Sequence, residues 1–183
     1  MQGCVKKYLN IFRNPSCRLL YVLGFSYCAG IIVLAYLLEY IYQLEPCSLC
    51  LLQRVVIATV GGLFMLGAII NCKNIFGYFL SSLLFIVNGC GIFLAGRQVW
   101  LQSLPADLVP SCSAGIVRLM EVYPLLKVLS MVISGTGECA KVEFEIFGLS
   151  IAALSLINFI CLEAFIFLVI YWQKKGGLYN PPF

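Results

Sequence analysis

The chain contains no histidine. Imidazole general-base catalysis and every zinc site that needs a histidine ligand are therefore excluded. Charge is the second scarcity. Asp, Glu, Lys and Arg make up 11% of the 183 residues, where an ordinary soluble domain carries about 25%. With 62% hydrophobic residues, so little charge cannot coat a water-soluble core of this size, because a small domain is mostly surface. Nucleic-acid binders, disordered chains, collagens and soluble enzymes are set aside together. What the chain has in quantity is long apolar runs, a mean hydropathy of +0.98, and ten cysteines.

A hydrocarbon core about 30 Å thick takes about 20 apolar residues to cross as a helix. Four stretches are long enough, at about 19–42, 49–70, 76–100 and 149–172. They are continuously apolar, not alternating, so they read as helices and not as barrel strands. The expected fold is an all-α membrane protein, a four-transmembrane-helix bundle forming one integral membrane domain over residues 1–183. The first run is too long for the apolar region of a cleaved signal peptide, and no small-x-small site closes it.

Four spans place both termini and the 71–75 turn on one side. That side holds Lys6, Lys7, Arg13, Arg18, Lys73, Lys174 and Lys175, seven of the twelve basic residues, and no acid. By the positive-inside rule it is cytoplasmic. The opposite side receives the 43–48 connection and one long loop, about 101–148, with acids at Asp107, Glu121, Glu138, Glu143 and Glu145. Within that loop, the mainly apolar run from Pro124 to Ile133 is too short to span and suits a short interfacial helix.

Compartment then sorts the cysteines. Cys4, Cys17 and Cys72 fall on the cytoplasmic side, where thiols stay reduced. Cys28, Cys90 and Cys161 fall within spans and behave as small apolar residues. Four remain outside: Cys47, Cys50, Cys112 and Cys139. An even number on the oxidising side suggests two disulfides, with three possible pairings. Cys47 and Cys50 form a C-x-x-C in a short connection and pair most economically with each other, which leaves Cys112 with Cys139.

In Glu45-Pro46-Cys47-Ser48-Leu49-Cys50, Pro46 fits the first position of a helix, where its missing N–H costs nothing. Both cysteines then sit at the N-terminal end of the second span, where unpaired N–H groups and the helix dipole favour a thiolate. Arg54 follows four residues after Cys50, on the same helical face and about 6 Å deeper. A cation at that depth is costly. It either snorkels to the surface or stabilises a Cys50 thiolate or an anion beside it. Glu163, inside the fourth span, has no partner identifiable from depth alone.

The motifs Leu44-Glu45-Pro46-Cys47-Ser48-Leu49-Cys50-Leu51-Leu52-Gln53-Arg54, Trp100-Leu101-Gln102-Ser103-Leu104-Pro105 leading to Cys112, and Ser134 to Cys139 ending in Phe147-Gly148-Leu149 resemble the disulfide-bond-formation B family. These are inner-membrane thiol:quinone oxidoreductases of bacteria. The resemblance covers nearly the whole chain. It implies that Cys47 and Cys50 are the quinone-coupled pair and that Arg54 takes the family's quinone-site arginine role. It implies that Cys112 and Cys139 are the shuttle pair meeting a periplasmic thioredoxin-fold dithiol oxidase of the DsbA type. The cofactor implied is ubiquinone or menaquinone, the location the bacterial inner membrane, with the active cysteines on the periplasmic side. Relatives often carry a histidine near the outer end of the third span. Arg97-Gln98 stands there in this chain, so a proton role for that histidine does not carry over.

Redox arithmetic agrees with the resemblance. Structural disulfides sit below about −300 mV, while a DsbA-type oxidase sits near −120 mV. Bridges that regenerate such an oxidase must be strained, exposed or pulled by quinone reduction. Three other readings compete: a Cys₄ zinc site, a structural membrane protein with inert disulfides, and a redox protein of the vitamin-K-epoxide-reductase type. The first is disfavoured by the oxidising compartment and by the wide spacing of Cys112 and Cys139. In the last, the C-x-x-C would fall late in the chain.

Overall fold

The computed structural model describes residues 17–43, 46–69, 75–104, 145–146 and 149–176. Within them lie four long helices: α1 (Cys17–Tyr42), α2 (Ser48–Ile69), α3 (Ile75–Gln102) and α4 (Ile151–Gly176). All seven prolines of the chain fall outside these helices, so nothing interrupts their backbone ladders. The shortest, α2, has 22 residues and is about 33 Å long, enough to cross a hydrocarbon core. All four are long and apolar enough to span a membrane.

Each helix packs against the next in sequence, and α4 also touches α1 more lightly, which closes the ring. The core between them holds Tyr21, Phe64, Leu84, Phe159 and Ile166. Outside, Phe79, Phe93 and Phe167 are 63%, 62% and 65% exposed. Large aromatic rings turned outward at that density would be an aggregation hazard in water; in lipid they are the solvated face.

Helices α1 and α2 interlock. The ring of Tyr21 lies in the notch left by Gly67, and the ring of Phe64 lies in the notch left by Gly24; a Cβ on either glycine would collide with the ring. The two rings also meet edge to face, with centroids 5.9 Å apart. Small residues opposite large ones let membrane helices approach closely, where dispersion and not the hydrophobic effect holds them together.

At this end of the bundle, Tyr21, Ser81 and Gln173 form a closed triangle. Gln173 Nε2 donates to Tyr21 Oη (2.9 Å), the Tyr21 hydroxyl donates to Ser81 Oγ (2.8 Å), and Ser81 Oγ donates to Gln173 Oε1 (2.7 Å). All three residues are buried. Further along, Asn88 of α3 donates to the Phe159 carbonyl (3.0 Å) and to Glu163. Glu163 therefore has a partner, on the neighbouring helix, that depth counting does not reveal.

The helices follow the expected spans with shifts of up to four residues, the first beginning at Cys17 and the fourth running on to Gly176, and two of the shifts have a visible cause. The fourth helix begins at Ile151 and not Leu149, because Leu149 and Ser150 (β2) pair antiparallel with Ile146 and Glu145 (β1). The third helix runs on past Trp100 to Gln102 and closes with Ser103 N–H bonded to the carbonyls of Val99 and Trp100. After α1, Gln43 takes a left-handed φ of 51° while its side-chain amide caps the Tyr40 carbonyl at 2.8 Å. The expected interfacial helix at Pro124–Ile133 lies outside the described residues.

Candidate functional site

The chain enters α2 through Pro46 and Cys47. The Cys47 carbonyl accepts the Leu51 N–H at 3.1 Å, and its Sγ accepts the Cys50 N–H at 3.3 Å. That is the bonding of an N-cap, with sulfur in the place usually taken by a Ser or Asp oxygen. Pro46 therefore precedes the cap, and Ser48 takes the first helical position that the sequence assigned to the proline. The correction has a physical cause: Cys47 supplies its own capping acceptor, so the helix does not need to begin at the proline.

The C-x-x-C spacing brings the cap residue and the third helical residue together. The Sγ atoms of Cys47 and Cys50 lie 2.6 Å apart. A third group completes the cluster. Gln98, from the far end of α3, places its Nε2 3.4 Å from the Cys47 sulfur and 3.3 Å from the Cys50 sulfur. Its carbonyl oxygen accepts a bond of 2.8 Å from Nε2 of Gln53, one turn into α2. Gln53 and Gln98 are each 4% exposed.

Arg54 turns another way. Its Nη1 lies 2.6 Å from Glu39 Oε2 on α1, and its guanidinium stacks 4.9 Å from the centre of the Tyr36 ring. A carboxylate in a medium of low dielectric attracts a guanidinium more strongly than a neutral sulfur does, so the ion pair sets the rotamer. Both side chains are part-buried, at the same end of the bundle as the cysteines. Arg97 lies over the Trp100 ring at 5.5 Å.

Of the residues singled out from sequence, Cys47, Cys50 and Arg54 come together at this end. Cys112 and Cys139 lie outside the described residues. Cys28 is buried in the core, while Cys90 and Cys161 face outward from the bundle. Three participants have no role in the sequence analysis: Gln53 and Gln98, both of which stand among the residues quoted above, and Glu39. Each carries a readable signal, a polar side chain inside an apolar run, with Gln53 three residues after Cys50 and so on its face.

Four membrane-spanning helices with a cysteine pair built into the cap of the second define a multi-pass membrane protein of thiol and disulfide chemistry. Comparison with known proteins makes this particular. A family model described as "Disulfide bond formation protein DsbB" matches residues 17–169. The chain is 40% identical over 165 residues to Disulfide bond formation protein B of Nitrosococcus oceani, covering 88% of this chain and 95% of that one. It is 42% identical over 143 residues to the protein of the same name from Hahella chejuensis, with 78% and 87% covered. The like-named protein of Methylococcus capsulatus is 38% identical over 163 residues, with 88% and 98% covered. The chain belongs to the DsbB family, and with it to the oxidoreductases of disulfide bond formation.

Proposed function

We propose that the protein is a thiol:quinone oxidoreductase of the bacterial inner membrane that reoxidises a periplasmic dithiol oxidase of the DsbA type. The observation that carries this reading is the sulfur pair of Cys47 and Cys50, capping a helix at the bundle's end with a guanidinium one turn deeper. In this reading both termini are cytoplasmic and that end faces the periplasm.

The partner's thiolate attacks Cys112. The Cys112–Cys139 bond breaks, its electron pair leaves on Cys139, and a second attack releases the oxidised partner. Two electrons and two protons have then moved to Cys112 and Cys139. Cys139 in turn attacks the Cys47–Cys50 bridge, whose electron pair leaves on one of its two sulfurs, and Cys112 then attacks Cys139 in the mixed disulfide, which re-forms the Cys112–Cys139 bond and frees the other sulfur. Cys47 and Cys50, now reduced, hold the two electrons at the lipid boundary. A quinone held beside Arg54 would supply the final two-electron, two-proton acceptor.

The residues present fit such a group. Arg54 presents five N–H donors, and Glu39 is seen to engage one nitrogen of the fork, which leaves others for a carbonyl oxygen. Next to it in the chain, Val55 is exposed to the lipid side. No part of this needs a metal.

The test is quinone-dependent oxidation of a reduced thioredoxin-fold protein by membranes carrying the chain. Cys47→Ser and Cys50→Ser are each expected to abolish it. A partner variant that lacks its second cysteine is expected to be trapped as a mixed disulfide on Cys112, with Cys139 released as the thiol, seen on a non-reducing gel and mapped by mass spectrometry. Retained turnover in a Cys47 or Cys50 variant, or an adduct through Cys47 or Cys50, would overturn the reading.

A further inference from the structure

We infer that Gln98 is a positioning residue for the Cys47–Cys50 pair: its amide, held in one orientation by Gln53, is a fixed and non-titrating donor to whichever sulfur carries negative charge. The inference rests on the redox role proposed for that pair.

One NH₂ group lies within 3.4 Å of two sulfurs at once, and it carries two N–H donors. When a thiolate attacks one sulfur of a disulfide, the S–S bond breaks and the electron pair stays on the other sulfur. A donor that touches both sulfurs serves either direction of attack without moving. A bond to a thiolate is also about twice as strong as one to a neutral sulfur, so the amide favours the charged product over the thiol.

An amide has two orientations, and only one helps. Turned over, Gln98 would aim the negative end of its carbonyl dipole at the developing thiolate. Gln53 decides between them, because its NH₂ donates to Gln98 Oε1 and so forces the other end toward the sulfurs. Burial of both side chains removes the water that would otherwise blur the choice.

Neither amide titrates. Among the described residues at this end, Arg54 and Glu39 are paired with each other, Arg97 lies over Trp100, and the first ten residues of α4 include no charged one. The chain has no histidine, and the Gln98 amide and the Cys50 backbone N–H, which both lie at the sulfurs, keep the same charge at every pH.

The experiment measures the rate of iodoacetamide labelling of Cys47 against pH, in reduced membranes carrying Cys50→Ser, with the labelled site mapped by mass spectrometry. Cys50→Ser keeps the pair from closing and leaves Cys47 as the sulfur beside Gln98. Adding Gln98→Leu should raise the pH midpoint of labelling by roughly one unit, the loss of one charge-assisted bond. Adding Gln53→Leu, which leaves Gln98 present but free to turn over, should raise it by a smaller amount. A change of access alone alters the plateau rate and not the midpoint. An unchanged or lowered midpoint with Gln98→Leu overturns the inference, and an unchanged midpoint with Gln53→Leu overturns the part assigned to Gln53. Neither result touches the redox reading, which falls separately, on turnover retained by Cys47→Ser in the otherwise unaltered chain.

Discussion

The bundle buries a glutamine-centred polar cluster at each end, and the two are built to different plans. At the end where the chain enters α1, Tyr21, Ser81 and Gln173 donate around a closed triangle, and Ser81 also reaches the Gly77 carbonyl at 3.0 Å, so oxygen acceptors take up these donors. At the end where it enters α2, Gln53 donates to Gln98, and Gln98 spends its own donors on two sulfurs. Sulfur is a weak acceptor until it is charged, so this second cluster is incomplete until chemistry occurs. A closed network fixes helices in place; an open one leaves part of its bonding capacity for a transient species. The difference predicts that damage at the first end appears as lost stability and damage at the second as lost chemistry.

The largest expected effect is at the open end. Cys50→Ser should eliminate turnover while shifting unfolding in detergent by less than about 0.5 kcal/mol, the range of a substitution that breaks no packing. Comparable losses in both measurements would erase the distinction between the ends. Next comes the interlock beside the closed triangle. Gly67→Val forces the Tyr21 ring out of its notch and should cost about 3 kcal/mol of stability, with turnover per folded molecule unchanged.

The triangle itself should respond in a way the open cluster cannot. Gln173→Leu removes two of the three bonds, leaving Tyr21 donating to Ser81 and Ser81 to the Gly77 carbonyl, and should cost about 2 kcal/mol, whereas Tyr21→Phe, Ser81→Ala and Gln173→Leu together should recover most of that loss. A triple variant no more stable than the single one would mean that the three side chains act independently.

The smallest expected effect sharpens the role of Arg54. Arg54→Ala should raise the quinone concentration for half-maximal turnover about tenfold, roughly 1.4 kcal/mol, while partner binding stays the same. Glu39→Gln removes the competing carboxylate and should lower that concentration by about threefold, a fraction of the same energy. Identical quinone kinetics in both variants would leave Arg54 as a charge merely escaping the bilayer.

What could be read in advance divides along the range of the interactions. Four apolar runs announce four spans because the bilayer demands length and hydrophobicity from each segment alone. The cysteine pair is equally legible, since a separation of three residues brings it together on any helix. Arg54 at i+4 from Cys50 is a local relation too, yet its rotamer answers to Glu39, fifteen residues back on another helix. Gln98 is 48 residues from Cys50 and Gln173 is 152 from Tyr21. Such contacts depend on how helices rotate about their own axes, and nearly uniform apolarity around each helix leaves that rotation unwritten. Pro46 failed for a subtler reason: proline is admissible both at the first helical position and just before the cap, and only the sulfur's bond to Cys50 N–H distinguishes them.

The interlock of α1 and α2 bears on how the site is placed. Tyr21 and Phe64 each fill a glycine notch on the opposite helix, and only five residues, 43–47, join the two. The ring-in-notch packing of α1 against α2 is thus encoded within two segments adjacent in the chain, while the Tyr21 hydroxyl reaches on to Ser81 and Gln173 of α3 and α4. The same short connection carries Cys47 at the cap of α2, so the packing that sets α2 against α1 also sets where the sulfur pair sits. A glycine notch near one end of the hairpin thereby bears on the register at which Gln98 of α3 meets the sulfurs at the other.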